Sequence, residues 1–381
     1  MNILFIQNVG KRVNSFSYVP IIVSKQLGYN FHIVSKWTGY NSDDEIKDDE
    51  KKYGIKIHSA DIIRTPYNPK NLKAFKQICR IIQEEKIDVI HCNTPIGGVI
   101  GRLAGKKCNV KRVIYQAHGF HFYKGAPIVN WLIYYPIERI LAHFTDALIT
   151  INVEDFERAK TFHLRDHGEV YCVPGVGINT NDYELCGFDR EGKRQSLSFK
   201  DDDILVVSAG DIIKRKNFKT AIKAISETKN DRIHYLICGS GPLRTDLEKY
   251  AAEIGVEKQI HFLGYRTDMK EILWASDIYL FTTYQEGLPR SLSEAMACGL
   301  PCVASKIRGN EDLIDNDDVG LLFPPNDVQG FSNAISKLSN DPELRKRMGI
   351  LAQKRIMSFN IETVENKMRE VYKNEFPSDV N

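Results

Sequence analysis

Short apolar runs separated by helical patterns constrain the fold of this chain more than any other feature of its sequence. In residues 1–178 each run is four or five residues long and is apolar along most of its length. Such runs are typical of strands in a parallel sheet that is covered on both faces. The runs are Ile3–Gln7, Phe31–Val34, Val89–Cys92, Val113–Gln116 and Ala147–Ile151. Their alternation with helical patterns predicts a doubly wound α/β domain.

The same alternation begins again after a break at residues 173–178. Pro174, Gly175 and Gly177 make this segment a natural linker. Six further apolar runs then alternate with helical patterns, which predicts a second α/β domain. The six runs are Leu205–Ala209, Tyr235–Cys238, Ile260–Leu263, Ile278–Phe281, Pro301–Ala304 and Gly320–Phe323.

The length of the chain supports a division into two domains. A chain of 381 residues exceeds what one hydrophobic core usually organises. We therefore expect an N-terminal domain at 1–178 and a C-terminal domain at 179–358. Residues 359–381 add a terminal helix that is amphipathic, with Val364 and Met368 on one face.

Composition excludes several classes of protein. With 43% apolar and 27% charged residues, the sequence is typical of a soluble globular protein, and no run of eighteen apolar residues is present. The N-terminus resembles a first strand rather than a signal peptide, so a cytoplasmic location is expected. The eight cysteines show no paired CxxC spacing, which favours free thiols in a reducing compartment over a zinc site.

Charge is distributed unevenly along the chain. Residues 1–178 hold 24 Lys and Arg against 17 Asp and Glu, a net charge of +7. The rest holds 52 − 24 = 28 basic and 49 − 17 = 32 acidic residues, a net charge of −4. A basic first half suits an anionic membrane or an anionic acceptor, although ordinary surface variation explains the asymmetry equally well.

The segment that ends at Gly299 carries the clearest chemical pattern. An apolar run ending at Phe281 predicts a buried strand, and Pro289 suits the first turn of a helix. A helix N-terminus attracts phosphate because its unpaired N–H groups carry positive charge. Glu286 and Glu294 flank that anion site, and carboxylates accept hydrogen bonds from hydroxyl groups. Hydroxyls on both sides of a phosphate describe a sugar nucleotide.

The string over residues 286–301, Glu-Gly-Leu-Pro-Arg-Ser-Leu-Ser-Glu-Ala-Met-Ala-Cys-Gly-Leu-Pro, resembles the motif of retaining glycosyltransferases of the GT-B fold. It looks like glycosyltransferase family 4 in particular. The resemblance covers nearly the whole chain and is strongest over 205–325. It implies two Rossmann-like doubly wound domains that face each other across a cleft, and a terminal helix that returns to the first domain.

The resemblance also implies roles for individual residues. Glu286 would hold the hydroxyls of the donor sugar, and Glu294 would hold the ribose. Lys216 and the start of the helix would take the diphosphate. The other substrate-binding positions of the motif are Gly287, Leu288, Pro289, Arg290 and Ser291.

Lys216 belongs to the segment Gly210-Asp211-Ile212-Ile213-Lys214-Arg215-Lys216-Asn217, which follows the first strand of the second domain. The family pattern has Gly-Arg-Leu, three residues, and then Lys-Asn or Lys-Gly, so Asp211 stands where an Arg is expected. An acid beside a diphosphate would repel it. We therefore predict that Asp211 pairs with Lys214, Arg215 or Lys216 and positions a cation toward the donor; the alternative is a solvated Asp211.

Two glycine-containing turns border the expected donor site. Gly239-Ser240-Gly241-Pro242 lacks the third glycine of a dinucleotide fingerprint, so a tight turn beside the donor is favoured. The segment Phe262–Arg266, with Gly264, resembles the loop that seats the nucleotide base, and the side chain of Arg266 is a further candidate.

In the first domain, residues 116–127 follow a predicted strand, where open α/β sheets bind ligands. By resemblance, His118 lies near the transferring sugar and acts in catalysis with Glu286 and Lys216; His121 is more readily structural. Gly10 stands where many members have Gly-Gly next to donor and acceptor. Lys11 and Arg12 are candidates for an acceptor diphosphate, or are solvated charges.

Residues 128–137, Ile-Val-Asn-Trp-Leu-Ile-Tyr-Tyr-Pro-Ile, allow two interpretations. Such an apolar and aromatic stretch can dock an isoprenoid or a membrane interface. It can also be a core helix that is buried all round, and this second interpretation is favoured.

The resemblance predicts a metal-independent, retaining hexosyltransferase without a cofactor. It would move a hexose or N-acetylhexosamine from a nucleotide-diphosphate sugar, with a UDP-sugar favoured, to a glycan acceptor. The strings 116–127 and 305–312 point to exopolysaccharide or capsule assembly, with a polyprenyl-diphosphate acceptor at the inner membrane face. No nucleic-acid partner is expected. The alternatives are a UDP-sugar 2-epimerase of the same architecture and a non-catalytic protein that binds sugar nucleotides.

Overall fold

Two parallel sheets organise the chain, which was analysed as a computed structural model describing residues 1–66, 68–185 and 187–376. The chain divides into two units. The first comprises Met1–Gly177 and the segment from Ile361 onward, and the second comprises Ile178–Asn360.

The sheet of the first unit has seven parallel strands in the order β3-β2-β1-β4-β5-β6-β7. Its strands are β1 (Asn2–Gly10), β2 (Asn30–Trp37), β3 (Lys56–Ser59), β4 (Val89–Asn93), β5 (Arg112–Ala117), β6 (Ala147–Thr150) and β7 (Glu169–Cys172). Its first six helices are α1 (Ser15–Gln26), α2 (Asp43–Tyr53), α3 (Lys70–Glu84), α4 (Pro95–Lys107), α5 (Ile128–Ala142) and α6 (Val153–Ala159). Side chains from alternate positions of the strands enter separate apolar clusters on the two faces, as expected for a sheet covered by helices on both sides.

The sheet of the second unit has six parallel strands in the order β10-β9-β8-β11-β12-β13. They are β8 (Ile204–Ala209), β9 (Ile233–Cys238), β10 (Ile260–Gly264), β11 (Ile278–Phe281), β12 (Cys302–Ser305) and β13 (Gly320–Phe323). The helices are α7 (Arg190–Ser196), α8 (Phe218–Thr228), α9 (Arg244–Glu253), α10 (Met269–Ala275), α11 (Arg290–Ala297), α12 (Asn310–Leu313), α13 (Val328–Asn340) and α14 (Pro342–Ile356). Two apolar clusters again cover the two faces.

The last helix, α15 (Ile361–Glu375), packs on the first unit, chiefly against α1. Val364, Met368 and Val371 are each 1% exposed and enter the cluster that also contains Phe5. The Tyr372 hydroxyl lies 2.8 Å from Nδ1 of the buried His91 on β4. The first sheet is therefore covered in part by the end of the chain.

The predicted fold class is confirmed, because both sheets are parallel and doubly wound. In each sheet the strand order reverses direction at one point, between β1 and β4 in the first unit and between β8 and β11 in the second. Ligands of open α/β sheets bind at the carboxyl ends of strands beside such a point. No helix within the described ranges is both long and apolar enough to cross a membrane.

Candidate active site

Glu286 lies in the loop between β11 and α11, at the carboxyl end of a central strand. Its Oε1 atom accepts three hydrogen bonds: from Lys216 Nζ at 2.8 Å, Arg215 Nη1 at 2.6 Å and Thr283 Oγ1 at 2.9 Å. The side chain of Glu286 is only 12% exposed, so these charge-assisted bonds are weakly screened by water. The structure thus brings together Glu286 and Lys216, which the sequence predicted for separate roles.

The two loops that carry these groups are hydrogen-bonded to each other. The backbone N–H of Tyr284 donates to the Arg215 carbonyl at 2.9 Å, and Thr282 Oγ1 donates to the Asn217 carbonyl at 2.9 Å. Asn217 has a left-handed backbone with φ 53°, and this turn joins the 3₁₀ helix Lys214–Lys216 to α8. Backbone contacts therefore fix the cations next to the acid.

The remaining carboxylate oxygen of Glu286, Oε2, has no hydrogen-bond partner within the ranges that the structure describes. The backbone carbonyl of the same residue accepts from Arg308 Nε at 3.1 Å, and Arg308 is only 5% exposed. Gly309 follows with φ 78°, and a Cβ atom there would lie 2.3 Å from the Gly287 carbonyl oxygen. The sequence analysis missed Arg308, although a charged residue so close to a buried strand was a signal. Its position indicates that it holds the loop in place.

Glu294 lies one turn into α11, where its Oε1 accepts from Arg290 Nε at 2.8 Å. The two residues are four apart and share one face of the helix. Burial and the neighbouring Glu294 raise the pKa of Tyr183. Leu288 and Pro289 precede the helix, and Ser291 lies half-buried in its first turn. A carboxylate, an arginine and the N-terminus of a helix thus occupy one short segment.

Three glycines bring the carboxyl ends of neighbouring strands together. Gly210 follows β8, Gly239 follows β9 and Gly264 ends β10. The N–H of Gly239 donates to the Gly264 carbonyl at 2.8 Å, and a Cβ atom on Gly239 would lie 1.9 Å from the Gly210 carbonyl oxygen. Only glycine fits such a close backbone approach. The structure thus supports a tight turn at Gly239.

Arg266 makes a bidentate contact with Asp268, with N–O distances of 2.8 and 2.6 Å. Lys193 Nζ also lies 2.6 Å from Asp268, and the Arg266 hydrogen bond holds the pKa of this carboxyl far below its usual range. Arg266 is therefore engaged with a side chain of its own unit. The adjacent Tyr265, which was not singled out from the sequence, is 82% exposed and offers an aromatic face for a base to stack on.

The predicted pairing of Asp211 is wrong. Asp211 is exposed, and its carboxylate makes no ion pair with any residue that the structure describes. Arg215 and Lys216 contact Glu286 instead, because that carboxylate is more buried and is held by the neighbouring loop. The solvated alternative for Asp211 therefore stands.

His118 follows β5, next to the carboxyl end of β4. Its Nε2 bonds to the side-chain oxygen of Asn93, and the ring of Phe16 packs against it edge-on at 5.0 Å. Burial lowers the pKa of His118 to about 4, so the ring is neutral at pH 7. An amide oxygen only accepts, so Nε2 carries the proton and Nδ1 remains an acceptor. His118 can therefore accept a hydrogen bond from a hydroxyl group.

Gly10, the last residue of β1, and Arg12, in the loop that follows, are both engaged in contacts within the first unit. A Cβ atom on Gly10 would lie 3.0 Å from the Trp37 ring, so Gly10 is required by local packing. Arg12 pairs with Asp49 at 3.0 Å and its guanidinium lies 5.0 Å from the Tyr40 ring centroid. Local contacts thus hold both residues.

The favoured interpretation of residues 128–137 as a core helix is wrong. One face of α5, with Trp131 and Tyr135, packs on the first-unit core. The opposite face is apolar and exposed: Ile128 is 77% exposed, Leu132 70% and Ile140 61%. A count of apolar residues could not distinguish these arrangements, because both faces of the helix are apolar. The exposed stripe consists of Ile128, Val129, Leu132, Ile133, Pro136, Ile137 and Ile140.

Two family models match the chain, one in each unit. Residues 3–152 match the model "Glycosyl transferase 4-like", and residues 189–355 match "Glycosyl transferases group 1". The Bacillus subtilis protein named "Putative glycosyltransferase EpsD" is 30% identical over 97% of this chain and 96% of its own. An Escherichia coli UDP-Gal:α-D-GlcNAc-diphosphoundecaprenol α-1,3-galactosyltransferase is 28% identical over 80% of this chain and 79% of its own.

Solved structures show the same fold. The crystal structure of Anabaena HepE in complex with UDP and glucose matches with a TM-score of 0.79 at 19% identity, covering 98% of this chain and all of HepE. The sequence match to EpsD extends over nearly both whole chains, and the motif loop, the sheet order and both family models agree with it. The chain therefore belongs to the glycosyltransferases of the GT-B fold, with a 4-like first unit and a group 1 second unit.

Proposed function

We propose that this glycosyltransferase is a retaining enzyme that moves a hexose or N-acetylhexosamine from a UDP-sugar to a lipid-linked glycan. The observation that carries the proposal is the contact of Lys216 and Arg215 with one oxygen of Glu286. The two cations can bind a diphosphate. The second carboxylate oxygen of Glu286, which has no hydrogen-bond partner among the described residues, can accept a hydrogen bond from an adjacent sugar hydroxyl.

In this proposal the donor diphosphate shares Lys216 and Arg215 with Glu286. The bond between the sugar C1 and the β-phosphate oxygen breaks, and negative charge grows on the leaving diphosphate. Cations already held in place stabilise that charge without reorganising, which is where such sites contribute most. The positive end of α11 adds to the same field. These groups supply the charge that the reaction needs, so the proposal includes no resident metal or cofactor.

Retention follows if the acceptor attacks from the face that the diphosphate leaves. The acceptor oxygen bonds to C1, and its proton passes to the departing phosphate oxygen. Glu286 would orient the sugar through Oε2, and Glu294 would hold the ribose. His118, neutral and with Nδ1 as acceptor, would receive a hydrogen bond from the donor sugar. His118 would then select the sugar without contributing charge.

Two observations support a polyprenyl-diphosphate-linked acceptor. The names of the Escherichia coli relative and of a Campylobacter jejuni N-acetylgalactosaminyltransferase, 23% identical over 86% of this chain, specify diphospho-undecaprenol acceptors. The exposed stripe of α5 is an apolar surface that a membrane or an isoprenoid would cover. A role in exopolysaccharide or capsule assembly is part of this proposal, as is peripheral contact with the inner membrane face.

A panel of UDP- and GDP-sugars tests the donor. The ligand that raises the unfolding temperature most is then supplied with a short polyprenyl-diphosphate glycan, and NMR of the product gives the anomeric configuration. An α-linked product from an α-donor supports the proposal. Epimerised UDP-sugar without an acceptor would indicate the epimerase alternative, and binding without any product would indicate the non-catalytic one.

A further inference from the structure

Two histidines and a glutamate meet at the outer edge of the first sheet, in a region that the proposed reaction does not use. His32 lies on β2, His58 on the edge strand β3, and Glu85 follows α3. His32 Nδ1 is 3.1 Å from His58 Nε2 and 4.0 Å from Glu85 Oε2. One ligand atom from each residue lies within 4.8 Å of the other two. This is the separation from which small side-chain rotations bring three ligands onto one ion.

Regular structure holds the backbone at all three positions. His58 pairs with Val34 in the strand register, and its carbonyl accepts from Trp37 Nε1 at 2.8 Å. The carbonyl of Glu85 accepts from Asn2 Nδ2 at 2.8 Å. Ligands presented by strands and by a fixed helix end lose little freedom on binding an ion.

Both imidazoles are neutral at pH 7. Burial lowers the pKa of His32 to about 4, and burial also lowers the pKa of His58. Neutral imidazole is the form that binds a metal. The charged groups that act on the pair are Lys56, Glu50, Glu84 and Glu85.

We propose that His32 Nδ1, His58 Nε2 and a carboxylate oxygen of Glu85 bind one divalent transition-metal ion, of which Zn²⁺ is the best fit. Two nitrogens and one oxygen suit Zn²⁺, which takes four ligands in tetrahedral sites, and water completes the set at the exposed side. Without an ion the rings share one hydrogen bond. On binding, the ring that donates this bond moves its proton to its other nitrogen, so no proton needs to be lost. The ion then links β2, β3 and the end of α3.

Lys56 limits the affinity of this site. Its Nζ lies 2.6 Å from Glu85 Oε1, where it competes with the ion for the carboxylate and repels the ion's charge. Replacing Lys56 by Met, which keeps most of the side-chain length, should therefore tighten metal binding. A merely structural histidine pair would show no such gain.

The second sheet provides a natural control. His234 on β9 and His261 on β10 have the same register as the first pair, since each edge-strand histidine lies opposite the residue two positions after its partner. Their nitrogens are also 3.1 Å apart. However, Asp203 lies 3.7 Å from Nε2 of His234, the nitrogen that faces away from His261. Three ligand atoms do not converge there, so this pair should not bind the ion.

The test is a titration of the full, untagged chain with Co²⁺, followed by displacement with Zn²⁺. Tetrahedral Co²⁺ absorbs visible light, and we expect one strongly absorbing ion per chain. His58→Gln and Glu85→Gln should weaken binding about tenfold or more, since even loss of a group that only supports a ligand costs this much. His261→Gln should not change binding, and Lys56→Met should strengthen it. Unfolding curves and UDP binding of each variant show whether the chain is folded, independently of the metal.

Equal binding by the wild type and His58→Gln, an equal loss in His261→Gln, or the absence of any visible Co²⁺ spectrum would overturn the site. The outcome does not depend on the proposed transfer reaction, because UDP and the metal are assigned to different residues.

Discussion

The two units have the same central strand order, but the side chains at the carboxyl ends of their strands differ in charge. In the second unit, the loops after β8 and β11 carry ionised groups that neutralise one another, as Lys216 and Glu286 do. In the first unit, the half-buried His118 after β5 bonds to Asn93 at the end of β4 without any charge, whereas the loop after β1 carries Arg12, which pairs with Asp49. In the proposed reaction, the charged groups around Glu286 would bind the anion, and the neutral His118 would contact a hydroxyl group.

Buried polar side-chain atoms without a hydrogen-bond partner occur in both units, among the residues that the structure describes. In the first unit, the buried side-chain nitrogens of Gln7 and Asn93 lack partners within the described part of the chain. Buried polar groups are costly unless they are satisfied. The first unit therefore retains neutral donors near β1 and β4, and the second retains, in its described ranges, unpartnered atoms on Tyr279, Ser305 and Asn310, while Glu286 Oε1 is paired.

The largest expected effect comes from removing a cation of the second unit. Lys216→Ala should lower kcat by about 10²–10³-fold, because the leaving diphosphate loses a preorganised charge. Lys219→Ala is the matched control: it removes the same charge from an exposed residue of α8 whose Nζ lies 4.5 Å from the Tyr250 ring centroid. Steady-state rates with the donor identified in the ligand panel provide the measurement, and equal losses in both variants would contradict the assignment.

The two acids of the second unit should differ in their effect on UDP itself. Glu294→Ala should weaken UDP binding by about 1.5–3 kcal/mol, the size of a hydrogen bond to a charged group. Glu286→Gln should leave UDP affinity unchanged or increase it, because Lys216 and Arg215 are then released for the phosphates, while turnover of the UDP-sugar falls. Calorimetric titration with UDP separates the two, and a similar loss of affinity in both variants would refute the division of roles.

A smaller effect is expected from the neutral His118 of the first unit. His118→Ala should reduce turnover about tenfold, since it removes one uncharged hydrogen bond of ordinary strength. UDP affinity should hardly change, and the rate between pH 6 and 8 should not reflect ionisation of His118, whose pKa is about 4. A fall in turnover as large as that of Lys216→Ala, or a pH dependence of the rate with a pKa near 6.5, would contradict the difference in charge between the two units.

The sequence predicted those structural features that are determined by neighbouring residues in the chain, and missed those whose pattern is weak or that depend on residues far apart in the sequence. The buried strand Val89–Cys92 was predicted because it is apolar on both faces. The edge strand β3, Lys-Ile-His-Ser, was missed because it is half-exposed and too short to show a clear pattern. The contact between Lys216 and Glu286 joins residues that are 70 positions apart in the sequence. No local sequence pattern shows which lysine or arginine pairs with this acid.

Acid should destabilise the first unit more than the second. Burial lowers the pKa of His32, His91 and His118 to about 4, 3 and 4, whereas in the second unit burial lowers the pKa of His261 to about 4 and also lowers that of His234. Because these values lie below the ordinary 6.5, the unfolded chain takes up protons first, and stability falls as the pH drops from about 6.5 toward 4.

Each such histidine should remove roughly 1–2 kcal/mol of stability between pH 7 and 5. Hydrogen exchange of the two sheets in metal-free buffer at both pH values measures this. Protection should fall further in β2, β4 and β5 than in β9 and β10. A uniform loss would show that the buried imidazoles do not set the acid sensitivity.

The smallest effect concerns the exposed stripe of α5. Ile140→Glu places a charge on a side chain that is 61% exposed, so the fold should be preserved. Binding to anionic vesicles should fall several-fold, because a carboxylate disfavours both the apolar interior and the anionic surface. Ile350→Glu, at a 56% exposed position of α14 in the second unit, is the matched control. Equal vesicle binding by the wild type and both variants would remove the membrane contact from the proposal.

The position of α15 has a consequence for the order in which the chain can fold during synthesis. The first unit needs Val364, Met368 and Val371 to complete the core beneath β1, but the ribosome makes these residues only after the whole second unit. The second unit runs from Ile178 to Asn360, and its two ends meet as a short parallel bridge. The second unit can therefore complete its fold as soon as it has left the ribosome. The first unit, although it is made first, is completed last.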